Sequence, residues 1–265
     1  MKLNGKVFAV TGGGNGIGGQ VVLGLLAGGA RVAALDLDAV ALKEIARQAD
    51  AGDRLSTHVV DITDRPAVLA LPDTIVATHG QVDGLINVAG IVHDFKPVSR
   101  LTFADIERVM AVNFWGTVNT SKAFLPLLES RPESALVNVS SMGALVPFPG
   151  QSAYGASKAA VKLFTEGLIA EHQGIQPRVS IVFPGGIATD ILANSGVTMP
   201  GKDVAAAAAS LTSPAEAARQ IIDAVVTGRT RVAIGRDAKM LDRLGRLMPV
   251  RAIPLIAAKM RDLVK

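Results

Sequence analysis

The 265-residue sequence predicts an α/β fold: a doubly wound parallel sheet of about seven strands with helices on both faces, followed by a helical C-terminal extension. Three observations predict it. Short apolar runs alternate with helical patterns from Val7 to Ile234, and such alternation implies parallel strands joined by crossover helices. No composition break interrupts this region, so residues 1–235 read as one domain and residues 236–265 as a tail. Small and polar residues recur directly after the strand-like runs, where ligands gather in such sheets.

In chain order, the run Val7–Val10 breaks into glycines and resumes as a helical pattern with Ile17, Val21, Leu25 and Leu26 on one side. A second run, Arg31–Leu35, ends in Asp36. Strand, glycine turn, helix and strand in this order are the context of a dinucleotide-binding, Rossmann-type unit. Glycines let the backbone approach a pyrophosphate, and the free N–H groups of the helix start attract its charge. Two registers overlap: Gly14, Gly16 and Gly19 fit G-x-G-x-x-G, while Gly12, Gly16 and Gly18 fit T-G-x-x-x-G-x-G. A carboxylate at Asp36 can accept hydrogen bonds from the adenosine ribose and would repel a 2′-phosphate, which favours NAD over NADP. The competing reading is a solvated loop aspartate, with Asp38 placed to cap the next helix.

Further along, residues 39–49, 66–78, 103–128, 152–172 and 214–226 carry helical patterns. Residues 55–60, 82–88, 135–139, 179–183 and 231–234 read as strands. Asp61, Asn87–Gly90, Ser140, Ser141 and Pro184–Gly186 follow strands and are expected to ring one crevice.

The stretch Ser141–Lys158 concentrates the chemistry. It holds the single tyrosine of the chain, Tyr154, four residues before Lys158, so the two share a helix face. A nearby ammonium can lower a phenol from about 10 by about 1–3 units, which would make Tyr154 a proton-transfer group. Ser141 follows the strand-like ALVNVS, whose end can return its hydroxyl to the phenol. Each residue also has a plainer reading. A Y-x-x-x-K spacing arises by chance, and a serine after a strand often caps the next segment. Asn113 interrupts the apolar AVNFWGTV, where a buried amide needs a partner. His93 lies close enough to reach a pocket, although a solvated loop position is the simpler expectation. Trp115 reads as core or subunit interface.

With these residues together, the chain resembles the single-domain branch of the short-chain dehydrogenase/reductase family over residues 5–235. The resemblance rests on TGGGNGIG at 11–18, NVAG at 87–90, Asn113, Ser141, YGASK at 154–158 and PGGIAT at 184–189. Val88 departs from it, since relatives most often carry a second asparagine there. Asn15 stands where NADP-using relatives often carry a basic residue, in agreement with Asp36. The resemblance implies Tyr154 as general acid/base, Lys158 lowering its pKa and binding the nicotinamide ribose, Ser141 orienting the substrate oxygen, and Asn113 holding a relay water. It further implies cofactor contacts from Gly12, Asn15, Gly16, Ile17 and Gly18, and from Asp36, Asp61 and Ile62 on the adenosine side. Asn87, Ala89 and Gly90 would follow the adenosine half. Pro184, Gly185, Ile187 and Thr189 would meet the nicotinamide.

The implied function is an NAD-dependent oxidoreductase interconverting a secondary alcohol and a ketone. An NADP-using carbonyl reductase and a non-catalytic dinucleotide-sensing regulator are the alternatives. A segment between Ala188 and Thr212, with Ile191, Leu192, Val197 and Met199, falls where the family's substrate lid lies; with Phe95 and Phe148 it points to a hydrophobic, lipid-like or alicyclic substrate. Relatives are usually tetramers or dimers, so a homo-oligomer is expected.

Composition narrows the classes. The chain has no cysteine and four scattered histidines, which argues against a metal site. No secretory signal pattern or long apolar run appears, so a cytoplasmic protein is expected. The tail carries eight Lys or Arg against three Asp, a net of +5, which leaves residues 1–235 at −1. Its apolar and basic residues repeat at helical spacing up to Pro249 and Pro254, after which a second short helix is expected around 256–264. Such a helix packs on the protein or lies on an anionic membrane, packing being the simpler reading. The tail lacks aromatic residues for stacking, so nucleic acid is not expected as a partner.

Overall fold

The computed structural model describes residues 1–189, 191–197 and 211–259. Seven strands form one sheet: β1 (Val7–Thr11), β2 (Arg31–Asp36), β3 (Leu55–Val59), β4 (Gly84–Asn87), β5 (Ala135–Val139), β6 (Arg178–Pro184) and β7 (Arg231–Ile234). Their order is β3-β2-β1-β4-β5-β6-β7, and every neighbouring pair is parallel. The chain runs outward from β1 to β3 and then returns to β4, so the loops after β1 and β4 diverge and leave a crevice. Thr11 and Asn87 are register partners at that point.

Both faces of the central strands are covered, which is why β1 and β5 are mainly apolar and are buried at every position. On one face, α1 (Gly16–Ala27) and α7 (Pro214–Thr227) contribute Val21, Leu25, Ile221 and Val225 to the core. On the other, α3 (Arg65–His79), α5 (Gly116–Glu129) and α6 (Ser152–Glu171) contribute Ile75, Phe124, Leu128 and Leu168. Leu25 and Phe124 have no exposed surface, and burial of each such side chain is worth about 1.5–3 kcal/mol. Local signals agree with the packing. Asp38 accepts from the N–H groups of Val40 and Ala41 to start α2 (Ala39–Ala49). Thr102 and Asp105 form a reciprocal capping box at α4 (Phe103–Met110).

Three expectations change. β4 begins at Gly84, not Val82, because the buried Asp83 carboxylate accepts the Val7 N–H at 3.0 Å and pairs with Lys6 and Arg131. The helical stretch 103–128 is not one regular helix: α4 passes through a wide π-turn at Ala111–Trp115 into α5. The second tail helix begins at Pro249 and runs to Lys259, with Pro254 inside it. Pro249 takes a first-turn position, where an N–H has no helical partner, and Pro254 lies on the exposed face, where water can solvate the carbonyl it leaves free. Met199 of the expected lid and residues 260–264 of the expected helix lie outside the described residues. The first tail helix, Arg236–Leu247, forms as expected.

Candidate active site

The nucleotide side of the crevice is built from backbone. No side chain caps α1, so its first N–H groups are free to meet an anion. Gly12 has φ +66°, and a Cβ there would sit 3.0 Å from the Ala89 backbone; at Gly18 it would strike the Gly12 carbonyl. Such a tight glycine turn ahead of a helix with free N–H groups fits the pyrophosphate of a dinucleotide. Thr11 Oγ1 accepts from the N–H groups of Val88 at 3.1 Å and Ala89 at 3.2 Å, which ties β1 to the NVAG turn. Val88 itself packs on the core, as an apolar residue should. Ile17 does the same, so its approach to a cofactor is through its backbone.

The structure separates the two candidate aspartates. Asp38 caps α2, while half-buried Asp36 ends β2 beside the glycine turn. Asp36 Oδ2 accepts from Gly14 N–H at 2.9 Å and Oδ1 from Asp38 N–H at 3.1 Å, and each oxygen keeps a further lone pair. Asp61 lies past β3, exposed, with Oδ1 accepting from the Thr63 N–H and hydroxyl, both at 2.8 Å. Ile62 is buried against Gly116. The Asn87 side chain turns inward, donating to Asn138 Oδ1 at 2.9 Å and accepting from Thr120 at 2.8 Å. That leaves its backbone, with that of Ala89, to meet a cofactor. The PGGIAT segment crosses the glycine turn, with the Thr189 side chain beside Gly16, and Asn15 Oδ1 accepts from Asn194 Nδ2 at 3.2 Å.

On the reacting side, the fold brings Ser141, Tyr154, Lys158 and Asn113 together. Ser141 Oγ accepts the Gly143 N–H at 3.1 Å and hydrogen-bonds the Tyr154 phenol. Ser140, by contrast, is buried and donates to the Lys158 carbonyl at 2.7 Å, anchoring α6 to the end of β5. Lys158 is 4% exposed, and its ammonium donates to the Val139 carbonyl at 3.2 Å. A Cβ at Gly90 would lie 2.9 Å from Lys158 Nζ and 3.1 Å from Asn113 Oδ1, so the turn and both side chains meet there. Asn113 sits in the π-turn without exposure. Its amide accepts from Ile91 N–H at 2.8 Å and donates to the Ile91 carbonyl at 2.9 Å and Ser157 Oγ at 3.0 Å. The Asn113 carbonyl accepts the Thr117 hydroxyl at 2.8 Å.

The electrostatics correct one expectation. Burial pushes the Tyr154 phenol up, opposed by the Ser141 hydrogen bond, and burial pulls the Lys158 ammonium down to about 8. In the protein alone, desolvation therefore sets the direction of the phenol, and the opposing influence comes from Ser141, not from Lys158 as expected.

Other positions differ from their simplest sequence readings. His93 is 2% exposed, not solvated, and Trp115 is 49% exposed, which excludes the core and leaves the subunit-interface alternative. Asp237, at the start of the first tail helix, was not legible as a site residue. Its Oδ2 accepts from Gly186 N–H at 2.6 Å, and side chains at Gly185 or Gly235 would collide with its carboxylate. It thus ties the loops after β6 and β7. The only sequence signal was Gly235 two residues before it, opposite a paired glycine in PGG. The tail also packs inward: Leu241, Ala252 and Ile256 form a cluster with Val146, joined by Met142, Leu145 and Phe148 of the segment after Ser141.

A family model described as short chain dehydrogenase matches residues 6–199. The chain belongs to the short-chain dehydrogenase/reductase family. It is 40% identical to SadH of Mycobacterium tuberculosis, covering 96% of this chain and 95% of that protein. Among solved structures, a Burkholderia cenocepacia short-chain dehydrogenase in complex with NADP is similar at TM-score 0.79 and 28% identity, covering 98% of this chain and 99% of that one. A Burkholderia phymatum member in complex with NAD shares the fold at TM-score 0.83 and 24% identity, covering 93% and 94%. The chain is thus an oxidoreductase by family, and proteins of this fold hold either dinucleotide.

Proposed function

We propose that this short-chain dehydrogenase uses NAD to interconvert a secondary alcohol and a ketone on a hydrophobic substrate. Asp36 carries the cofactor choice. Its carboxylate stands at the end of β2 on the glycine turn, with Asp38 committed to the helix cap, so a 2′-phosphate would meet negative charge. The NADP-bound relative keeps an NADP-using carbonyl reductase as the second reading. The assembled Ser141, Tyr154 and Lys158 favour catalysis over redox sensing without turnover.

A bound nicotinamide supplies the hydride acceptor or donor. The chain does the proton chemistry. Tyr154 takes the hydroxyl proton during oxidation and returns it during reduction, and Ser141 Oγ holds the same substrate oxygen. Lys158, with two N–H groups beyond the one given to Val139, binds the nicotinamide ribose and offsets charge on the phenolate. Asn113 holds the turn at Ile91 and, through the π-turn, a relay water. Met142, Leu145 and Phe148 after Ser141, and Ile191, Leu192 and Val197 after β6, give the substrate an apolar setting.

The protein acts as a homo-oligomer, which covers exposed apolar residues such as Phe103 and Trp115. No helix among the described residues is long and apolar enough to cross a membrane. The exposed tail residues Leu247, Val250 and Ile253, near Arg246 and Arg251, suit a peripheral contact with anionic lipid. The deciding experiment screens apolar secondary alcohols with NAD and NADP at equal concentration, following the reduced cofactor. A higher kcat/KM with NADP would overturn the cofactor assignment. Turnover of no alcohol or ketone would overturn the reaction.

A further inference from the structure

The start of α6 lacks a cap of its own. Gln151, the residue before it, makes no side-chain bond to the first turn, yet Tyr154 is the third residue of this helix. The missing acceptor comes from a different loop. His93, six residues past Asn87, directs Nε2 to the Tyr154 backbone N–H at 3.2 Å. Its other ring nitrogen, Nδ1, lies 2.7 Å from the Asp94 carbonyl. A carbonyl only accepts, so Nδ1 carries the proton and Nε2 of the neutral ring holds the lone pair that Tyr154 N–H needs. Gln151 closes the arrangement by donating Nε2–H to the His93 carbonyl at 2.8 Å. That partner also fixes the amide orientation, since the oxygen could not donate there. His93 and Gln151 are 2% and 5% exposed.

We propose that neutral His93 is a positioning residue for Tyr154, holding the backbone of the proton-transfer residue from across the crevice and releasing it when the imidazole is protonated. An imidazolium has donors at both nitrogens, so Nε2–H would face the Tyr154 N–H and the bond would be lost. The phenol sits on the first turn of α6 and depends on that turn for its aim at Ser141. Acidification should therefore lower turnover by misplacing Tyr154, without needing Tyr154 or Lys158 to change charge. The charged groups around the imidazole are few among the described residues. Its own loop carries Asp94 and Lys96, paired at 2.7 Å; α4 brings Asp105, bound to Thr102, and Arg108, which donates to the Ser195 carbonyl at 3.3 Å; α6 brings Tyr154 itself and, one turn on, Lys158.

This role rests on the reading of Tyr154 as the acid/base, and its test has a readout that does not need turnover. Tyr154 is the single tyrosine, so ¹⁵N-tyrosine labelling gives one backbone amide resonance. In the parent protein that resonance should shift as the pH is lowered from about 8 to about 5, reporting loss of the acceptor. In His93→Gln, whose amide oxygen can take the place of Nε2 but cannot be protonated in that range, it should stay near the parent's neutral-pH position. Activity should follow: His93→Phe lowers kcat about 10- to 100-fold at pH 8, the scale of a misplaced catalytic group, with cofactor KM changed less than about threefold. His93→Gln should retain kcat within about threefold and lose the parent's acid limb. A parent resonance that does not titrate, or one that titrates equally in His93→Gln, overturns the proposal. So does a folded His93→Phe with the parent's kcat. If no substrate is found, the amide titration still decides the role of His93, whereas a titrating amide in an inactive protein would count against the proposed reaction alone.

Discussion

The two sides of the crevice are made differently. The nucleotide side centres on one short segment, Thr11 to Asp36, in which glycines and free helix N–H groups dominate, with the NVAG turn and the PGGIAT segment packed beside it. The reacting side draws Gly90 and His93, Asn113, Ser141 to Lys158, and Asp237 from separate parts of the chain. A backbone site depends on allowed close approach, which single glycines guarantee. A side-chain site depends on burial and partners, so its groups carry shifted pKa values and its loops need support from outside the motif, here from the tail.

If the reacting side holds the chemistry, Tyr154→Phe should give the largest effect. It removes one hydroxyl and should lower kcat about 10²- to 10⁴-fold, with NAD affinity by fluorescence titration nearly unchanged. An activity within twofold of the parent would place the proton transfer elsewhere.

Burial on the same side predicts a pH effect on stability. Lys158 sits at about 8 in the folded protein against 10.5 for an ordinary lysine. Between those values the unfolded chain binds more protons, so stability should rise with pH, by up to a few kcal/mol from this group alone. Below about pH 8 the penalty is present in full. The Tyr154 shift is upward from 10, so it adds a loss of stability only above that pH. Urea denaturation at pH 7.5 and 9.5 checks the rise, which Lys158→Met should lack.

Asp237 tests whether the tail supports the nicotinamide end. Asp237→Ala should raise the cofactor KM about tenfold, in keeping with the loss of a charge-assisted hydrogen bond. Asp237→Asn keeps an acceptor for Gly186 N–H and should stay closer to the parent. Equal kinetics for all three proteins would confine Asp237 to packing.

The smallest effect concerns the nucleotide side. Asp36→Ala should reduce the ratio of kcat/KM for NAD to that for NADP severalfold or more, roughly the tenfold that about 1.4 kcal/mol represents. Asp38→Ala should leave that ratio alone and instead lower stability by about 1 kcal/mol through loss of the α2 cap. The opposite pattern would exchange their roles.

Local pattern was enough to read the parallel sheet, the glycine turn and the shared helix face of Tyr154 and Lys158 from the chain; the roles of those two and of Ser141 came from the family resemblance. Each of those patterns rests on periodicity or a fixed short spacing: apolar runs that mark buried strands, glycines where the backbone must approach closely, and i, i+4 positions on one helix face. Folding decided what those residues experience. Only packing shows that Asp38 rather than Asp36 caps a helix, that the π-turn directs Asn113 to Ile91, and that burial of His93 turns a loop histidine into the acceptor for Tyr154 N–H. Likewise, Asp237 meets Gly186 only because β6 and β7 are neighbours in the sheet. Periodicity reports which face of an element is buried. It does not report which distant polar group completes a hydrogen bond there, because that choice depends on desolvation and geometry across elements that the chain brings together only on folding.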